Sequence, residues 1–308
     1  MPHLAMTVAA TLWASSFIAG KALLETIPPP ELALLRFTVG AAVVAAAVLS
    51  LGRRFEVRAV GLRAFVTGFF EPGLITIVVY WGMLHTSAVH GVVIFALMPL
   101  VTSLLGRVFL GEAITRPVLL GAAIAIAGTG LLVSGASGSD EATLFGDAIV
   151  LSGMLLACIA MLVLRRVAQS HRLPMAVTCF QLAGAGVSGL VVAVGAAFLS
   201  GEGDALATIA QVDASGWLLV LYLGVLVSAV AFFIYNYALR HIGVGRISLY
   251  LVLIAPLGVP LAAIFLGETI GGRDAAAIAL VVLGVAFPSV ASQRRVRELW
   301  PALHRPRA

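Results

Sequence analysis

The chain has 308 residues, of which 61% are hydrophobic and only 11% charged, and its mean hydropathy is +1.10. A water-soluble domain carries about 25% charged residues, so this composition leaves too little polar surface to cover a globule in water. The net charge of +5 and the pI near 9.8 would suit nucleic acid if the basic residues formed one face, but they are spread over alternate loops between apolar blocks.

Ten apolar blocks run near residues 4–25, 30–50, 60–84, 89–110, 117–134, 145–165, 173–199, 216–239, 243–266 and 274–292. Each is close to the ~20 residues that cross a bilayer core as a helix. Their apolar character is continuous, without the alternation of a barrel strand, so the fold class is an all-α membrane protein. Span one has neither a basic n-region nor a small-residue cleavage pattern and is read as retained. On it Trp13, Ser16, Phe17 and Gly20 share one helical face. Lys21 and Arg36 fall toward the same ends of spans one and two. They either snorkel to the interface or form an outer gate that captures a substrate carboxylate.

Span three holds an acid, Glu71, in "GFFEPGL" from Gly68 to Leu74. An acid at this depth is costly and faces a polar interior. Pro72 and Gly73 predict a distorted helix around it. Glu71 can hold a proton, pair with a substrate ammonium, or satisfy backbone groups at the distortion. Tyr80, nine residues on, falls on the opposite face of a regular helix, and with Trp81 is assigned to an interfacial aromatic belt. His85 and His90 are read as solvated at the membrane surface. Span four carries Pro99, and span nine carries Pro256 and Pro260. Mid-helix prolines free backbone carbonyls, which suits either a kink in packing or a cavity wall. On span eight Ser228, Phe232 and Tyr235 share a face, and on span nine Tyr250, Leu253 and Leu257 do. Such faces are packing surfaces or the lining of a cavity for an amphipathic solute. Cys158 and Cys179 lie inside spans and form no metal-binding spacing.

The loops sort by charge. Arg53, Arg54, Arg58 and Arg63, then Arg107 and Arg116, then Arg165, Arg166 and Arg172, then Arg240 and Arg246 mark alternate loops, and the tail adds Arg294, Arg295 and Arg297. The intervening loops carry acids. Basic loops stay cytoplasmic, so both termini are expected inside, which agrees with an even number of spans.

The sequence also repeats. "FLGEAIT" from Phe109 recurs as "FLGETIG" from Phe265, 156 residues later, and His85 stands 156 residues before His241. Pro99 and Pro256 fall at matching places. The expected organisation is a five-helix repeat over 1–138, a second over 139–292, and an Arg-rich tail over 293–308. Five is odd, so the second copy enters from the other side, an inverted-topology repeat of the kind that builds secondary transporters. Glu112 and Glu268 end the repeated motif and are read as charges that favour the N-terminus of the following helix. Glu71 has Val227 as its counterpart at the same offset, so the scaffold itself does not require the acid.

"LWASSFIAGK" (Leu12 to Lys21), "LALLRF" (Leu32 to Phe37), "SAVAFFIYNYAL" (Ser228 to Leu239) and the two proline-then-FLGE units resemble the EamA-type members of the drug/metabolite transporter superfamily. The resemblance implies export or exchange of small metabolites, often amino acids, across the bacterial inner membrane, without ATP. The chain has no GxxxxGK[ST] phosphate loop. "GVSG" at Gly186 matches a protease motif, but no histidine falls deep enough in a span to serve as its base. The reading is therefore a transporter, not an enzyme, with no cofactor or metal and no nucleic-acid partner. It would work as a monomer by alternating access, with protons as a coupling option. The candidate substrate site is Glu71, Trp13, Ser16, Pro99, Ser228, Phe232, Tyr235, Tyr250 and Pro256. The competing function is efflux of organic cations, which an acid among aromatic rings would also suit.

Overall fold

The computed structural model describes residues 2–52, 61–110, 116–133, 143–170, 174–200, 209–241, 250, 251 and 253–303. Among them the chain is helical and has no strand. The helices are α1 (Pro2–Leu23), α2 (Pro29–Ser50), α3 (Leu62–Gly68), α4 (Ile75–Met83), α5 (Ala88–Phe95), α6 (Met98–Leu110), α7 (Arg116–Val133), α8 (Leu144–Ser170), α9 (Pro174–Ser200), α10 (Ala214–Leu221), α11 (Ala231–His241), α12 (Ile254–Leu266) and α13 (Gly272–Leu303). Two π-helical segments join them: π1 (Phe69–Leu74) between α3 and α4, and π2 (Tyr222–Val230) between α10 and α11.

Seven runs of described residues are long and apolar enough to cross a membrane, and they coincide with predicted spans one to four and six to eight. Helices α7 and α12, at spans five and nine, are apolar but shorter. Span ten falls within α13, which continues to Leu303 without a break at the expected tail boundary. The seam at 134–140, Glu112 and the basic residues Arg53, Arg54, Arg58 and Arg246 lie outside the described residues.

Three spans are not the continuous helices that apolarity alone suggests. Span three unwinds at Glu71, whose backbone is extended (φ −130, ψ 113), ahead of Pro72. Span four is divided between α5 and α6, and Pro99 is the second residue of α6. Pro256 is likewise the third residue of α12. A proline is tolerated in a first turn because its missing N–H would have no partner there. Pro99 and Pro256 thus start new helices where mid-helix kinks were expected, and Pro260 alone lies inside α12.

The chief helix pairings are α2 with α9, α7 with α13, α3 and π1 with α9, and α4 with α8. Helix α1 packs on α11 and α12, α5 on α12, α6 on α8, and α2 on π2. Glycines set the closest approaches. A Cβ on Gly68 would fall 1.9 Å from the Gln181 carbonyl oxygen, and one on Gly184 would fall 2.0 Å from that of Phe65. The contact of α3 with α9 is therefore backbone against backbone, as small residues permit in membranes.

The repeated Glu268 does not serve the helix that follows it. Gly267 takes the left-handed conformation (φ 68) that ends α12. Beyond that turn the Glu268 carboxylate accepts from the Ala88 N–H at 2.6 Å and the Val89 N–H at 2.9 Å. These are orphan donors at the start of α5, so Glu268 ties the end of span nine to span four.

Gly68→Val should yield no monodisperse protein on size-exclusion chromatography in detergent, because its side chain would overlap the Gln181 carbonyl. Gly130, whose added Cβ would meet nothing within 4 Å, should accept alanine with a stability change within about 1 kcal/mol.

Candidate functional site

A central cavity of about 150 Å³ opens where spans one, two, three, four, six, seven, eight and nine meet. Trp13, Ser16 and Phe17 line it from α1, Arg36 and Phe37 from α2, and Glu71, Thr76, Val79 and Tyr80 from span three. Met98, Met161, Phe232, Tyr235, Leu251 and Ile254 contribute much of the remaining wall. The aromatic part is rigid: Trp13 stands edge-on to Phe232 at 5.6 Å and to Tyr235 at 5.4 Å. Phe17 does the same with Phe95 at 5.1 Å.

Glu71 reaches this cavity because its span unwinds. The extended backbone at Glu71, ahead of Pro72, interrupts the helical ladder. The Glu71 carbonyl then accepts from Gln181 Nε2 at 3.3 Å. Gln181 Oε1 in turn accepts from Asn236 Nδ2 at 3.0 Å, and the same amide donates to Thr178 Oγ1 at 2.9 Å. Thr178 and Gln181 are fully buried. Spans three, seven and eight are thus joined by one polar chain behind the acid. No described residue hydrogen-bonds the Glu71 carboxyl itself, which is half-buried at the wall.

Arg36 is the second charged group on the wall. Only 5% of it is exposed. Its Nε donates to Ser228 Oγ at 3.2 Å and its Nη1 donates to the Tyr80 hydroxyl. The guanidinium also lies over the Phe37 ring at 4.8 Å and the Tyr80 ring at 5.8 Å. Arg36 therefore turns into the bundle, and a snorkelling position is excluded. Ser228 is fully buried behind it.

Of the residues chosen from sequence, Glu71, Trp13, Ser16, Phe232 and Tyr235 lie on one cavity wall, and Ser228 touches it through Arg36. Pro99, Pro256 and Tyr250 do not line it. The two prolines start α6 and α12 beside Met98 and Ile254, which do. Tyr250 packs against an apolar cluster of Met6, Met161 and Tyr235, of which the last two line the cavity. Its place at the end of span three assigns Tyr80 to an interfacial belt, and counting 3.6 residues per turn puts it on the face opposite Glu71. The extended residue and π1 reset that rotation, and Tyr80 faces inward at 3% exposure. Gln181 was also missed, although Thr178, Gln181 and Ser188 recur along one face of span seven.

At one end of the bundle other charges are spent on packing. Lys21 donates to the carbonyls of Met83 at 2.7 Å and Thr86 at 2.8 Å, capping α4 where snorkelling was one option. His90 is buried, not solvated, because α8 brings Asp147 to it: Nδ1 lies 2.9 Å from the carboxylate. Asp147 also accepts from Thr86 Oγ1 at 2.6 Å.

The model of the EamA-like transporter family matches residues 1–134 and again 144–290. A probable terminal-alkyne amino-acid exporter of Streptantibioticus cattleyicolor is 28% identical over 268 residues, covering 86% of this chain and 85% of its own. An uncharacterized transporter of Bacillus subtilis, YyaM, is 25% identical over 211 residues, covering 68% of this chain and 66% of its own. A solved structure, described only as the crystal structure of a protein, superposes with a TM-score of 0.70 at 23% identity over 95% of this chain and 98% of that one. At that identity the likeness is one of fold.

Gln181→Leu removes the donor to the Glu71 carbonyl, and leaves the Asn236 amide with Thr178 Oγ1 as its one acceptor among the described residues. We expect a loss of about 1–3 kcal/mol, the range for an orphaned buried polar group, seen as a lower melting temperature in detergent. An unchanged melting curve would mean that the polar chain does not hold span three.

Proposed function

The chain belongs to the EamA-like transporter family, and from that premise we propose that it exports or exchanges small amphipathic metabolites, amino acids foremost, across the bacterial inner membrane. The observation that carries this reading is the central cavity, walled by aromatic and apolar side chains and holding one acid, Glu71, on an unwound helix. Transporter sites of this kind form at the membrane midplane where discontinuous helices meet.

Alternating access needs two halves that can rock about the site. The family model matches the chain twice, in agreement with a first repeat over 1–138 and a second over 139–292. The helix pairings support the same division. Exchanging spans one to five with spans six to ten converts the pairing of three with six into that of eight with one. It also converts three with seven into eight with two, and one with nine into six with four. Two with seven, four with nine, and five with ten exchange with themselves. The π-helical segments obey the exchange too, since π1 lies in span three and π2 in span eight. Because both halves are on one chain, a monomer suffices. The alternate basic loops support termini on the cytoplasmic side.

Within this frame Glu71 is the polar anchor, taking a proton or the ammonium of the solute. A similar protein from Streptantibioticus cattleyicolor is named a probable exporter of an amino acid, which favours that solute class. Efflux of organic cations would use the same acid, but Arg36 puts a fixed positive charge on the same wall and opposes it.

The test is uptake into liposomes containing purified protein, with an imposed pH gradient and a mixed pool of amino acids and organic cations read by mass spectrometry. Wild type should accumulate amino acids only with the gradient, and Glu71→Gln should reduce this at least ~10-fold, the scale of one lost charge-assisted contact. Equal uptake by Glu71→Gln would make Glu71 structural, and uptake of cations alone would replace the metabolite reading with efflux.

A further inference from the structure

We infer that Arg36 is the specificity-determining group of the cavity: it receives a carboxylate of the solute, selecting for solutes that carry one and against cations that do not. This rests on the transport reading above and adds the feature that the solute must possess.

The argument begins with what Arg36 lacks. A guanidinium is charged at any physiological pH and carries five N–H donors. Two are occupied, by Ser228 Oγ and the Tyr80 hydroxyl, and both acceptors are neutral. No described residue accepts from Nη2. Among the described residues Glu71 is the only acid on the wall, and no ion pair joins it to Arg36. A charge buried to this degree inside a membrane protein is costly without a counter-charge. Tying spans two, three and eight together does not require it, because a neutral amide can donate to two hydroxyls.

What the surroundings do provide is orientation. Ser228 holds Nε, Tyr80 holds Nη1, and the guanidinium carbon lies over the Phe37 and Tyr80 rings. Gly20 leaves room for the Tyr80 ring, since a Cβ there would come within 2.9 Å of it. The guanidinium is thus fixed at the cavity edge with donors to spare. A planar carboxylate meets such a group through charge-assisted hydrogen bonds that water need not supply. An organic cation gains nothing there and meets a like charge. Tyr80 and Ser228 are positioning residues in this arrangement.

The experiment compares three sets of probes in liposomes containing the full chain. The first is leucine, methionine and phenylalanine, the second their amides, and the third the same side chains on carboxylic acids without the amino group. The amides keep the ammonium and lose the carboxylate. Wild type should accumulate amino acids at least ~10-fold over amides, since a site built to hydrogen-bond a group rejects the analogue that lacks it. Arg36→Gln should bring that ratio near one, with amide uptake kept as the sign of a folded protein. Arg36→Lys should keep a weakened preference, and Tyr80→Phe should lower the ratio partway.

Wild type that carries amides as well as amino acids, or a ratio unchanged in Arg36→Gln, would overturn the assignment while leaving the transport reading intact. So would uptake restricted to solutes without a carboxylate. Loss of all uptake in both Arg36 variants, eluting as folded protein, would make the residue structural and overturn it as well. Wild type that moves no solute of any kind would remove the transport reading, and this one with it.

Discussion

The structure depends on how span three satisfies its backbone after it unwinds at Glu71 and Pro72. Inside a bilayer no water is at hand to pair the groups that an interrupted helix exposes. Here the partner is a side chain from another span: Gln181 donates to the Glu71 carbonyl and is itself held by Asn236. Gln181 can reach that carbonyl because Gly68 and Gly184 let α3 and α9 touch backbone to backbone. A larger residue at either glycine would move α9 away, and the interruption would lose its partner. The acid, the distortion and the close packing are therefore one arrangement.

Charge follows from the same economy of space. His90 with Asp147, Glu268 with the start of α5, and Lys21 with the end of α4 all lie at the end of the bundle that the basic loops assign to the outside. Each is satisfied by protein and joins spans that belong to different repeats or to neighbouring helices. Deeper in the bundle the pattern reverses. Glu71 has no described hydrogen-bond partner for its carboxyl, and Arg36 has only neutral ones. The charged groups at that end are paired within the protein, and the two on the cavity wall keep unused bonding capacity.

The sequence disclosed the helical class, the positions of most spans and the break at Glu71, because proline and a buried acid leave strong local signals. The second π-helical segment was hidden. "YLGVLVSAV" of π2 has no proline and reads as an ordinary apolar helix, so only its packing against Gly40 and Arg36 reveals it. Tyr80 was misplaced because helical counting from Glu71 fails once an extended residue and a π turn intervene. Arg36 kept two readings for a different reason. Distance from a helix end gives depth but not the neighbour a side chain meets, and Ser228 and Tyr80 come from spans far away in sequence. His90 was likewise unreadable without knowing that Asp147 arrives from α8.

The proposed repeat makes the asymmetry of the cavity intelligible. Spans three and eight both carry a π-helical segment, and of the two only π1 contains a non-helical residue. Their chemistry need not match, because a solute has distinct ends. Span three offers Glu71, and its counterpart in span eight is Val227, fully buried against the core. Span eight instead offers Ser228, which orients Arg36. One half thus contributes the acid, while the other steadies the base that the first half also supplies. In the proposed repeat, duplication would supply the π-helical segment twice, and divergence of single residues on it would give the cavity its polarity.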